Sequence, residues 1–286
     1  MLPVLFEIGP LKIHSYGLMI AVGFLTGLYF VQRDAARRGM RPKVFADMAF
    51  ISLPLGILGA RLTHIVMYPE IYSWNDPIGW IAIWRGGLVF HGGLPLALAF
   101  VYYWFKKHDI PFWKGCDVMF PYLPMGHGFG RVGCFLYGCC YGLPTDVPWA
   151  IPARRVPWDI SEPVKGSPAF LDHMSSFSDV TTQSHWSHPI HPTQLYSFAG
   201  LMVICGILLA LRRYWNPYPG FTVPAYLVLY GTFRFIVEFF RGDHNPVHLF
   251  GLSDQQVFSL VFALIGVALF FFLRTRAASK PSSETG

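Results

Sequence analysis

The chain has 286 residues, of which 53% are hydrophobic and 17% aromatic, while only 13% carry charge. Soluble domains run at about 25% charged residues, so this composition, with a mean hydropathy of +0.40, excludes an ordinary water-soluble globule and implies an integral membrane protein. The formal net charge of +6 comes without a basic run set in a soluble fold, which argues against a nucleic-acid partner and for charges that orient the chain in a bilayer.

No basic segment and no A-x-A cleavage pattern accompanies the first apolar run, so we expect no removable signal peptide. Seven apolar segments follow, at 16–32, 44–67, 87–105, 117–137, 193–211, 220–240 and 254–273. Each is long enough to cross about 30 Å of hydrocarbon. The fourth is the least apolar, because prolines and glycines interrupt it.

Basic residues fall in alternate connections. Arg33, Arg37, Arg38, Arg41 and Lys43 follow the first segment, Lys106, Lys107 and Lys114 the third, Arg212 and Arg213 the fifth, and Arg274, Arg276 and Lys280 lie in the tail. Positive charge stays in the cytoplasm, so these connections are expected inside, with the N-terminus outside and the C-terminus inside. The outer connections are then 68–85, 138–192 and 241–253. The expected fold is an all-α integral membrane protein of seven transmembrane helices with a small extracytoplasmic head. One membrane domain, 1–273, includes the 138–192 stretch as a loop or head, whose structure the pattern does not assign. A polar tail, 274–286, is expected to be disordered.

A helix rises 1.5 Å per residue, which converts position into depth. Arg61, Arg131 and Arg234 then lie about 9 Å below the outer ends of their helices, and His91 about 6 Å. His64 is shallower and Tyr16 opens the first helix. Polar groups from five helices thus gather in the outer third of the bilayer. A channel or carrier would line a full path or the midplane instead, so a cavity facing the outer leaflet is the better reading.

An arginine at membrane depth costs at least ~2.5 kcal/mol and needs a partner or a ligand. Arg131 lies in GHGFGRVGCFLYGCCYG, residues 126–142. Tyr230, Arg234 and Glu238 are spaced i, i+4, i+8 and share one helix face. Arg234 and Glu238 can simply pair, yet two or three arginines at one depth exceed the charge of Glu238. An anion resolves that surplus, and the planar guanidinium fork suits a phosphate. His91, in the HGG at 91–93, is either a packing residue or a general base. Gln194 and Tyr196, in HPTQLY at 191–196, are cavity-rim or interfacial residues, with Pro192 expected to open a helix.

The chain has five cysteines, so they cannot all pair, and Cys134-x4-Cys139-Cys140 is not a standard zinc spacing. A disulfide and inert packing are both open, and neither a metal nor a cofactor is expected. Two other function classes compete: a lipid or anion transporter, and a membrane thiol oxidoreductase using Cys139 and Cys140.

Together the residues resemble the bacterial prolipoprotein diacylglyceryl transferases over nearly the whole chain. The matching motifs are Tyr16-Gly17-Leu18, His91-Gly92-Gly93, Gly130-Arg131-x-Gly133, Thr145-Asp146-x-Pro148-Trp149, HPTQLY at 191–196, and the run from Tyr230-Gly231 through Arg234-Phe235 and Glu238-Phe239 to Arg241. The resemblance implies a seven-helix protein of the bacterial inner membrane with a periplasmic head. It also implies transfer of the diacylglyceryl group of phosphatidylglycerol to the lipobox cysteine of exported prolipoproteins, forming a thioether and releasing glycerol phosphate. It assigns Arg131 and Arg234 to the lipid head group, His91 to thiol activation, and Tyr16, Tyr230 and Glu238 to shaping the site. Arg61, Gln194 and Arg241 complete the expected substrate-binding set. Phosphatidylglycerol, lipobox-containing prolipoproteins and membrane lipids are the expected partners, and the chain is expected to act as a monomer.

The chain departs from the family signature G-R-x-G-N-F-x-N-x-E-x-x-G. Cys134 stands for the first Asn, Tyr137 for the second and Cys139 for the Glu, and Ser197 stands where Glu commonly follows QLY. A disulfide from Cys134 to Cys139 or Cys140 is the expected substitute that fixes the same bend.

Overall fold

A computed structural model describes every residue except 1, 3, 9, 10, 74, 84, 85, 156–165, 244–250 and 280–286, and leaves out the side chains of 7, 8, 11, 12, 90 and 91. A hairpin of β1 (Val4–Ile8) and β2 (Leu11–His14) leads into α1 (Ser15–Arg37) and α2 (Pro42–Met67). Next come α3 (Pro77–Ile81), α4 (Phe90–Lys107), α5 (Phe112–Met119) and α6 (Leu123–Tyr137). The chain continues through β3 (Ile151–Arg154), α7 (Pro168–Ser176) and β4 (Trp186–Ile190) to α8 (Thr193–Tyr214), α9 (Thr222–Glu238) and α10 (Asp254–Ala278).

Helices therefore lie at all seven apolar segments, and the expectation of an all-α chain is corrected to a mostly helical one with two small antiparallel sheets. In the second sheet Pro152 pairs with Pro189. Proline removes the backbone donor a helix interior needs, so these segments pair as short strands instead. The fourth apolar segment is not one helix. A 3₁₀ turn at Phe120–Tyr122 separates α5 from α6, where Pro121 and Pro124 interrupt the α-helical donor series. Pro192 caps α8 rather than occupying its first turn.

The tail expectation is also corrected, since α10 runs through Arg274 and Arg276 to Ala278. Its start is set by a capping box in which Ser253 accepts from the Gln256 amide and Gln256 from the Ser253 amide. Its last turns carry arginines that complement the negative end of the helix dipole. Residues 280–286 lie outside the described residues.

Four helices, α1, α2, α8 and α10, are long and apolar enough to cross a membrane by length and composition. α6 and α9, with 15 and 17 residues, are shorter. Where one domain was expected, internal packing divides the chain into two compact units, one of Leu28–Val118 and one of Met1–Gly27 with Met119–Gly286.

Within the smaller unit α2 packs on α4 at a backbone distance only glycine allows. A Cβ on Gly93 would sit 2.5 Å from the Gly56 carbonyl oxygen, and one on Gly59 would sit 2.7 Å from that of Gly92. The glycines of the HGG motif thus serve close helix approach.

Within the larger unit α9 packs on α10 and on α8, and α8 packs on α6. The stretch after α6, unassigned from sequence, is a small folded head. Tyr141, Ala153, Ala169, Phe170, Val180 and Ile190 form its core, with Met174 and Phe177 against them. Its ends are tied to neighbouring helices: the Gly142 amide donates to His191 O at 3.1 Å, Leu143 to Phe240 O at 2.9 Å, and Gly242 to Tyr141 O at 3.0 Å.

His173 on α7 is 2% exposed. Burial holds its pKa below the ordinary imidazole range; Asp172 works against that shift and His188 adds to it.

Two outcomes follow from this packing. Gly93→Val forces α2 and α4 apart and should cost about 1–3 kcal/mol, read as a lower unfolding midpoint in detergent. With its pKa lowered by burial, His173 binds its proton less readily folded than unfolded. The head should therefore lose stability as pH falls below about 6.5, and melting of His173→Phe across that range should show the weaker pH dependence.

Candidate active site

Four of the residues proposed from sequence, Tyr230, Arg234, Glu238 and Arg241, lie on or just past α9, in the larger unit. Tyr230, Arg234 and Glu238 lie on one face of that helix, as their spacing requires. Arg234 Nη1 meets Glu238 Oε2 at 2.5 Å, with side chains 10% and 3% exposed. Just past the helix, Arg241 Nε stands 3.9 Å from the same Glu238 oxygen. Arg241 also grips Asp243 with two parallel bonds, Nε to Oδ1 at 2.9 Å and Nη2 to Oδ2 at 2.6 Å. Burial works against the charge of Arg241, and its bonds to Asp243 together with the other negative groups around it outweigh that, so its pKa is raised.

Ser253, the cap of α10, donates to Glu238 Oε1 at 3.1 Å. One buried carboxylate thus joins the end of α9, the turn after it and the start of α10. Sequence reasoning missed Ser253; the S-x-x-Q pattern of its capping box marked the helix start but not the bond across to α9.

Arg131 lies on α6, half-buried. Its charge acts on Arg234, as does that of Arg241, so the three guanidiniums share one electrostatic neighbourhood. Of these, Arg234 pairs with Glu238, and Arg241 pairs with Asp243 and more distantly with Glu238. Three guanidiniums thus share their neighbourhood with these two carboxylates within one compact unit.

His127 was missed, although it precedes Arg131 by one helical turn and so shares its face. Its ring lies 5.4 Å from that of Tyr230, and both Arg131 and Arg234 act on it electrostatically. Tyr230 in turn stacks on Tyr226 at 5.5 Å and 9°. Tyr16, 40% exposed, meets α6 at Gly133, where a Cβ would lie 3.0 Å from its ring, and stands 6.4 Å from the Tyr137 ring.

Gln194, 2% exposed, has its amide committed to protein, for Nε2 donates to the Cys139 carbonyl at 2.7 Å. Beside it Thr193 Oγ1 donates to the Cys140 carbonyl at 2.8 Å. The first turn of α8 thus braces the cysteine turn. The Tyr196 hydroxyl accepts from Trp149 Nε1 at 2.6 Å and pairs with His191 Nδ1 at 3.1 Å. The disulfide expected there is not formed, and all five cysteines are free thiols.

Two expected site residues belong to the smaller unit. Arg61 is buried and spent on backbone: Nε donates to Trp80 O at 3.1 Å, Nη1 to Gly86 O at 2.7 Å and Gly87 O at 2.9 Å, and Nη2 to Gly79 O at 2.5 Å. Its guanidinium also lies 5.0 Å from the centre of the Tyr72 ring. It pins the α3 region to α2. His91 is in the first turn of α4, and its side chain lies outside the described residues.

A family model described as prolipoprotein diacylglyceryl transferase matches residues 3–272. Curated relatives named phosphatidylglycerol–prolipoprotein diacylglyceryl transferase include one from Vibrio cholerae, 32% identical over 275 residues, covering 93% of this chain and 89% of that protein. One from Xylella fastidiosa is 33% identical over 283 residues, covering 94% and 91%. One from Bordetella avium is 32% identical over 289 residues, covering 98% and 97%.

Glu238→Ala leaves buried guanidinium charge without its counter-ion and should destabilise the chain by about 3–5 kcal/mol. Thermal unfolding in detergent reads this, with Asp243→Ala, at the more open partner, costing less.

Proposed function

We propose that this chain, which belongs to the prolipoprotein diacylglyceryl transferase family, moves the diacylglyceryl group of phosphatidylglycerol onto the lipobox cysteine of exported prolipoproteins. The observation that carries this reading is the guanidinium surplus of Arg131, Arg234 and Arg241 over Glu238 and Asp243. A lipid phosphate supplies the missing negative charge. Family membership favours transfer over the transporter and oxidoreductase alternatives.

In the reaction the acceptor sulfur forms a C–S bond to the glyceryl carbon while the C–O bond to phosphate breaks. The thiol proton passes to a base, and glycerol phosphate leaves with the electron pair. Negative charge grows on the leaving phosphate, which is where fixed guanidiniums contribute most. Arg131 and Arg234 hold the head group, and Glu238 and Arg241 hold Arg234 in place. Tyr16 and Tyr230 line the site, while Gln194 supports it from below through Cys139. Arg61 contributes by fixing the 79–87 connection. His91 is assigned to thiol activation on its HGG motif alone; a thiol with a pKa near ~8.5 gains from such a base.

The charge pattern supports seven spans in the bacterial inner membrane, N-terminus outside, with the 138–192 head on the periplasmic side. The chain acts as a monomer on phosphatidylglycerol and prolipoproteins within the surrounding lipid.

The test is purified protein with phosphatidylglycerol and a lipobox peptide, assayed for thioether product and released glycerol phosphate. Arg131→Ala and Arg234→Ala should each lower turnover by about 10²–10³-fold, and Arg234→Lys should recover little, because a point charge lacks the fork. A folded chain that forms no product overturns the assignment.

A further inference from the structure

The sulfurs of Cys134, Cys139 and Cys140 all lie within 4.8 Å of one another. Backbone geometry, rather than linear spacing, brings them together. α6 ends at Gly138, whose φ of 87° reverses the chain, and the amides of Gly138 and Cys139 both return to the Cys134 carbonyl, at 2.8 and 3.2 Å. Cys140 then adopts φ 59°, a left-handed conformation that costs a non-glycine residue about 1–3 kcal/mol and persists only where surroundings enforce it. The enforcing bonds come from Gln194 and Thr193 to the carbonyls of Cys139 and Cys140.

We propose that Cys134, Cys139 and Cys140 form a three-thiolate site for one zinc ion, with the fourth tetrahedral position open to a thiol. Thiolates select soft or borderline cations. Zinc–sulfur bonds of about 2.3 Å in tetrahedral geometry set the sulfurs about 3.8 Å apart, against the 4.8 Å within which all three lie here. Three protein ligands and one open position are the pattern of a reactive zinc site; a purely structural one is closed by four. Among the described residues no fourth histidine, cysteine or carboxylate completes this group.

The surroundings suit the charge. Three thiolates and Zn²⁺ leave one negative charge, and the guanidiniums of Arg131 and Arg241 both act on Cys140. Cys134 is buried, whereas Cys139 and Cys140 are half-buried, which leaves an approach from that side. A thiol bound to zinc gives up its proton, so the acceptor cysteine is held there as thiolate, its proton passing to the base that the transfer reaction already requires. It then makes the C–S bond as the C–O bond to phosphate breaks, with zinc unchanged in oxidation state. That use of the open position rests on the transferase reading; the metal site itself does not.

The test starts with elemental analysis of the full chain purified in detergent. Zinc should be present at about one ion per chain, fall at least tenfold in Cys134→Ser and in Cys140→Ser, and stay in Cys116→Ser and Cys205→Ser. Cobalt substitution should give thiolate charge-transfer absorption, and its visible bands should shift on adding a lipobox peptide but not its serine counterpart. A disulfide among the three cysteines in intact mass under alkylation, copper in place of zinc, or zinc retained in both cluster variants overturns the site. Cobalt bands indifferent to the peptide overturn the open position. A zinc-free chain with full transferase activity rejects this site and leaves the transferase reading standing; a zinc-loaded, folded chain that forms no thioether does the reverse.

Discussion

The larger unit depends on how one carboxylate, Glu238, distributes its charge. A guanidinium taken out of water keeps its charge at any accessible pH, so burial requires either a counter-ion or a dense set of acceptors. Glu238 answers Arg234 directly, stands near Arg241, and accepts a bond from Ser253. The same carboxylate that neutralises charge therefore fastens α10 to the end of α9. Because Glu238 is shared and Asp243 is engaged by Arg241, these two carboxylates leave an imbalance among the three guanidiniums.

That imbalance is positioned by a junction of three chain segments. The end of α6, the start of α8 and the end of α9 meet through backbone bonds at Gly142, Leu143 and Gly242. The head between α6 and α8 has a core of only a few side chains, too small to stand by itself. Its stability is borrowed from that junction, so the head and the arginine cluster hold a common geometry. The smaller unit solves the same problem differently: Arg61 is satisfied by four carbonyl bonds instead of a carboxylate, and that commits it to holding a loop.

Where sequence and structure agree, the governing interaction is local. Tyr230, Arg234 and Glu238 share a face because the helical period makes every fourth residue a neighbour, and Arg234 pairs with Glu238 for the same reason. Disagreement arises where the partner is distant in the chain. The carbonyls that occupy Arg61 are 18 to 26 residues away, and Gln194 reaches Cys139 across 55. No periodicity reports such contacts. The split of the fourth apolar segment was legible in its prolines as weakness, but not as a 3₁₀ turn between two helices.

Composition, the period of the apolar runs and the placement of basic residues determined that this is a mostly helical membrane protein with arginines inside its apolar segments. Those properties follow from transfer free energies and helix geometry, which act residue by residue. Tertiary structure alone decided which carboxylates and carbonyls the guanidiniums meet, and that three cysteines of irregular spacing converge. Charge balance and sulfur convergence depend on distances in space, set by a left-handed turn and by bonds from another helix, and linear spacing carries no record of either.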